Sequence, residues 1–171
     1  MIYLVKPSLQ HKGDFIEMMH EWKEHGGRIN PGVLKKFQGN YSKWLEAIKL
    51  KEDESFTIKD KVPSTTYFVM DGDSLIGAIN IRHRLNDILL ISGGHIAYGI
   101  RPTQRRKGYA KLSLELALNQ CKELNLYKLL ITCDKDNIAS SKTIISQGGI
   151  FENEVVNDKG ILIERYWIEL I

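Results

Sequence analysis

One stretch, His95 to Cys133, constrains the fold more than any other. A short run of β-formers, His95 to Ile100, is cut off at Pro102, whose nitrogen has no proton to donate to a ladder. A basic loop with one glycine follows, Arg105-Arg106-Lys107-Gly108. From Tyr109 to Leu124, Leu112 and Leu116 with Leu114, Leu118 and Cys121 recur at the spacing of a buried helix, and Lys128 to Cys133 is a strongly apolar strand. Strand, loop, helix and strand in this order make a crossover unit, which places the chain in the mixed α/β class.

The flanking segments fit around that unit. Ile2, Leu4 and Val5 read as a first strand, and Phe15, Met18, Met19 and Trp22 as one face of a helix. Gly26, Gly27, Pro31 and Gly32 break that helix before a second, with Tyr41, Trp44, Leu45 and Ile48 on one face. Lys51 to Lys61 reads as a charged, exposed connection. Thr65 to Met70 and Ser74 to Leu85 are β-rich and separated by Asp71-Gly72-Asp73, a hairpin signal. Asn137 to Gln147 reads as a short helix ended by Gly148-Gly149, and Ile150 to Val156 and Ile161 to Ile171 as a closing hairpin about Asn157-Asp158-Lys159-Gly160.

With 171 residues, 43% of them hydrophobic, residues 1–171 are expected to form one domain. A net charge of +3 is too small to imply a polyanionic partner by itself. Cys121 and Cys133 form no CxxC pair, so neither a disulfide framework nor a metal site is expected. No apolar run reaches membrane-spanning length and Met1 to Pro7 lacks the pattern of a signal peptide, so a soluble, cytoplasmic protein is expected.

The basic loop lies where a helix begins. Free N–H groups, the helix dipole and a glycine that admits close approach suit such a place to phosphate, with the backbone of Arg106 to Lys111 as the main donor set. Arg105 to Ala110 reads RxxGxA, and the full stretch GGHIAYGIRPTQRRKGYA resembles the GCN5-related N-acetyltransferases (GNATs), whose signature is (Q/R)xxGx(G/A). The resemblance runs from about Thr65 to Trp167 and includes Asn137, which opens a short helix as the family's motif-B asparagine does. It implies a mostly antiparallel sheet of about six or seven strands, helices on both faces and a splayed central strand pair. It also implies acetyl-CoA as co-substrate, with its pantetheine arm along Tyr98, Gly99 and Ile100 and its phosphates on Arg105, Arg106, Lys107, Gly108, Tyr109, Ala110 and Lys111. The expected reaction is direct transfer of acetyl to a primary amine of a small molecule or peptide; the alternative is an acyl-CoA-binding module without turnover.

Proton transfer is less legible. Relatives often carry a tyrosine seven residues after the motif-B asparagine as general acid, and Ile144 stands there. His95 and His83 titrate in the useful range and are alternative candidates for the base, each with a structural role as the competing reading. Asp134, at the end of the apolar strand, is a candidate to assist through water, while Asp134, Asp136 and Asn137 equally suit turn formation and capping. Glu152 and Glu154 are candidates for binding a cationic amine. Arg101, Arg105, Arg106, Lys107 and Lys111 form a basic cluster too short, and too poor in exposed aromatics, for a nucleic-acid surface. Analogy allows a homodimer.

Overall fold

The computed structural model describes residues 1–56 and 58–171. Four strands, β1 (Ile2–Val5), β2 (Ser64–Asp71), β3 (Ser74–Arg82) and β4 (Ile96–Ile100), form an antiparallel sheet in the order β1-β2-β3-β4. Three more, β5 (Lys128–Asp134), β6 (Ile150–Val156) and β7 (Leu162–Glu169), form a second antiparallel sheet in the order β5-β7-β6. β4 and β5 share no ladder. They meet near their starts, through His95 N–H to the Leu130 carbonyl at 2.7 Å and Leu130 N–H to the His95 ring at 2.9 Å. The expected splayed pair is therefore present as a seam between two sheets.

Two clusters of buried side chains hold opposite faces. α1 (Lys12–His25) and α2 (Tyr41–Leu50) bury the residues whose periodicity defined them, and these close with Phe68, Met70, Leu75 and Ala78 around Phe15. The Phe15 ring lies 5.0 Å from Phe37, 5.2 Å from Tyr41 and 4.5 Å from Trp44, centroid to centroid, in edge-on, tilted and stacked arrangements respectively. On the other face α4 (Tyr109–Glu123) and α5 (Ile138–Ser146) cover Ile79, Ile81, Ile96, Leu129, Ile131 and Cys133. Alternation along the strands then sends Ala78, Asn80 and Arg82 of β3, and Thr132 and Asp134 of β5, to the α1–α2 face.

Three expectations change. β3 stops at Arg82 rather than Leu85, because Asn86 caps a short helix, α3 (Asp87–Ile91), by accepting from Leu89 N–H at 2.9 Å. Leu112 is 40% exposed; the buried stripe of α4 is Ser113, Leu114, Ala117, Leu118 and Cys121. The charged connection 51–61 begins with a half-buried Lys51 and includes Thr57, which lies outside the described residues.

Truncating the ring at the centre of the aromatic cluster leaves a void that its stacked neighbours cannot fill. Phe15→Ala is expected to cost about 3–5 kcal/mol, read from urea denaturation as a lowered midpoint at unchanged slope.

Candidate active site

The seam opens into a cleft of about 800 Å³, walled by β4, the start of α4, the end of β5, the start of α5 and the connection between α1 and α2. Its floor is the unpaired edge of β4. In the register of β3 and β4, Arg82 N–H reaches the His95 carbonyl and Arg101 N–H the Ile76 carbonyl. The alternation between them turns the peptide groups of Ala97 and Gly99 toward β3 and those of Ile96, Tyr98 and Ile100 toward the gap. Gly99 contributes differently from Tyr98 and Ile100. A Cβ at Gly99 would collide with the Asn30 carbonyl, so its bare Cα lets the α1–α2 connection cross β4 closely.

At the far end of β4 the chain turns into α4. Gly108 caps that helix at φ +81°, in the left-handed region, with open space where a side chain would stand. Arg106 is also left-handed, at φ +61°. Among the described residues, no backbone N–H from Arg106 to Lys111 donates to another protein group. This run of donors, at the positive end of a 15-residue helix, is a nest for anionic oxygens. Arg105 is held beside it, with Nε on the Ile100 carbonyl at 3.0 Å and the guanidinium 5.8 Å from the Trp22 ring centre. Arg106, Tyr109, Ala110 and Lys111 line the cleft; Lys107 turns instead to Gln104 at 2.9 Å.

Tyr98 spans the gap. Its hydroxyl lies 3.0 Å from that of Ser140 on α5, and burial pushes its pKa up to about 12. Asn137 lines the cleft and caps α5, its side-chain oxygen accepting from Ser140 N–H at 3.1 Å. Ile144, one turn beyond Ser140, is wholly buried. On the opposite wall Arg28 donates to both oxygens of Asp134, each at 3.0 Å, and so ties the α1–α2 connection to β5 across the cleft.

The family model described as an acetyltransferase (GNAT) domain matches residues 2–149. The chain belongs to the GNAT acetyltransferase family. Solved GNAT structures overlay on nearly all of it. One is the Salmonella typhimurium acetyltransferase that modifies the N-terminal serine of a 50S ribosomal subunit protein, at TM-score 0.73 and 12% identity, covering 99% of this chain and 95% of that one. A second is the spermidine/spermine N-acetyltransferase of Vibrio cholerae, at 0.64 and 18%, with 99% and 95% covered. A third is a microcin self-immunity acetyltransferase in complex with acetyl-CoA and AMP, at 0.69 and 14%, with 99% and 92% covered. Curated proteins give no match.

Within this GNAT cleft the two histidines do not meet the open edge. His95 is buried, accepts from Leu130 N–H through Nδ1 at 2.9 Å and is absent from the cleft lining. Burial, reinforced by the charge of Arg82, depresses its pKa to about 4, leaving a neutral imidazole that joins β4 to β5. His83 pairs through Nε2 with Thr65 Oγ1 at 2.8 Å and through Nδ1 with Glu54. Both therefore have structural partners, and neither lines the cleft. Glu152 holds Arg165 at 2.6 Å and accepts from Trp167 Nε1, and Glu154 holds Lys135 at 2.7 Å. Neither carboxylate lines the cleft. Trp22, Arg28, Asn30 and Arg82, which do line it, were not singled out from the sequence. Only Arg82 and Asp134 left a signal there, as polar residues at the ends of apolar strands.

The neutral His95 makes a pH signature. Its pKa is depressed on folding, so its contribution is full above the unfolded value near 6.5 and is lost as pH falls toward 4. Between pH 7 and 5.5 the wild type should lose roughly 1 kcal/mol more than a His95→Phe variant, measured by urea denaturation at both pH values.

Proposed function

We propose that this protein transfers an acetyl group from acetyl-CoA to a primary amine by direct attack. The run of unpartnered N–H groups from Arg106 to Lys111, next to the open edge of β4, carries this reading. The nest takes the phosphates, while Tyr98 and Ile100 present peptide groups along which a pantetheine arm can lie as an added strand.

The thioester carbonyl is then aimed at Tyr98 N–H, which stabilises the negative charge that develops on its oxygen. The amine nitrogen forms a bond to the carbonyl carbon, the carbon–sulfur bond breaks, and the nitrogen gives up a proton. Asp134, paired with Arg28, and Asp136 are the carboxylates in the lining, and the proton passes through water toward this acidic end of the cleft. The thiolate regains a proton from the Tyr98 hydroxyl, which its high pKa keeps protonated at neutral pH. This phenol, brought from β4 to Ser140, fills the role for which Ile144 has no proton.

Calorimetric titration with acetyl-CoA tests the cradle. Wild type is expected to bind one equivalent, and Gly108→Glu, which adds bulk and negative charge at the nest, to lose binding; undiminished binding by that variant overturns the assignment of the loop. Release of free thiol in the presence of amines separates turnover from a module that only binds acyl-CoA. Tyr98→Phe should lower kcat by about 100-fold with little change in KM for acetyl-CoA, and an unchanged kcat would transfer the acid role to solvent.

A further inference from the structure

Three buried or half-buried arginines stand against the sheets, and two are neutralised. Arg101 meets Glu17 and Glu21, and Arg165 meets Glu152 with Asn153 beside it. Arg82 has no carboxylate within ion-pair distance among the described residues. Its Nη1 donates to the carbonyls of Gly93 at 2.8 Å and Gly94 at 3.0 Å. Its Nε and Nη2 have no partner among the described residues, and Arg82 lines the cleft. Burying a guanidinium without a counter-charge is costly, and the carbonyl dipoles offset only part of the cost. Burial lowers the pKa of Arg82 to about 10, consistent with that imbalance.

The field around Arg82 has one sign. Lys51 is half-buried and its pKa is lowered, first by burial and then by Lys61, Lys36 and Arg82, which places these four cations together. Lys35 adds a fifth at the cleft wall. None of the four lysines has an ion-pair partner among the described residues. Trp22, 1% exposed and in the same lining, keeps an indole N–H with no acceptor. The nearest carboxylate along β5 is that of Asp134, which is paired with Arg28. Gly93, which holds Arg82, donates to Thr132 Oγ1 at 2.9 Å, and Asp134 stands two residues farther along β5, about 7 Å at the rise of a strand.

We propose that Arg82 is the anion hook of the acceptor site, and that the acceptor is an amine whose carboxylate lies several bonds from the nitrogen. The planar fork of Nε and Nη2 takes the carboxylate in two parallel hydrogen bonds. The amine then reaches toward Asp134 and the edge of β4. A polycationic acceptor meets Arg82 and Lys35 as like charges and is disfavoured. This proposal rests on the acetyltransferase reading and names its substrate class.

The test uses the full chain saturated with CoA, so that no turnover occurs. ω-Amino carboxylates from glycine to 6-aminohexanoate, their primary amides, matched aminoalkyl phosphates and diaminoalkanes are titrated by calorimetry. At least one carboxylate is expected to bind roughly tenfold or more tighter than its own amide and than the phosphate of equal length. Arg82→Gln should abolish that preference while CoA affinity is retained. Arg82→Lys, which keeps charge but loses the fork, should reduce it, and decides the matter if Arg82→Gln does not fold. Equal binding of carboxylates and amides at every length, including no binding by either, overturns the proposal. So does a preference for phosphate or diamine, or a carboxylate preference that survives intact in the arginine variants. Loss of CoA binding by the wild type is a different failure and falls on the transferase reading itself.

Discussion

The architecture hangs on a reciprocal pair of hydrogen bonds between two residues. Leu130 N–H donates to the His95 ring, and His95 N–H donates to the Leu130 carbonyl. They fasten the two sheets at one point and leave the rest of the β4 edge without a partner strand. A continuous ladder would satisfy those peptide groups and close the cleft. A seam with no fastening would let water reach Ile96 and Ile131, which are buried beneath it. His95 is suited to this place because its neutral ring supplies an acceptor inside a buried wall, where a protonated ring would lose the bond from Leu130.

From that seam the two faces divide the work. The α4–α5 face carries the crossover helix whose start offers main-chain donors to phosphate. The α1–α2 face carries the side chains that differ in charge and reach. Arg28, bound to Asp134, closes one side of the gap, and the aromatic cluster around Phe15 fixes the helices from which that connection springs. Rigidity at Phe15 is thus coupled, through α1, to the position of Trp22 in the cleft.

Much of this was legible in the sequence because it depends on local rules. Helical spacing located α1, α2, α4 and α5, Asp71-Gly72-Asp73 located the first hairpin, and Arg105 to Ala110 located the nest. α3 was obscured because Asp87–Ile91 is a single apolar turn of helix inside a stretch that also reads as strand. The surroundings of the candidate side chains were obscured for a different reason. His95, Glu152 and Glu154 carry useful functional groups, but whether a group is spent on a neighbour depends on partners far along the chain: Leu130 for His95, Arg165 for Glu152 and Lys135 for Glu154. Arg82 shows the converse, for among the described residues it lacks a carboxylate partner, which no local pattern records.

The nest at the start of α4 has a consequence for how such a chain can change over time. Main-chain amides are common to every residue type except proline, so a pocket made of them places little demand on the identity of the side chains around it. Selection need hold only the left-handed turn at Gly108 and the helix that follows, and the rest of the surface is free to diverge.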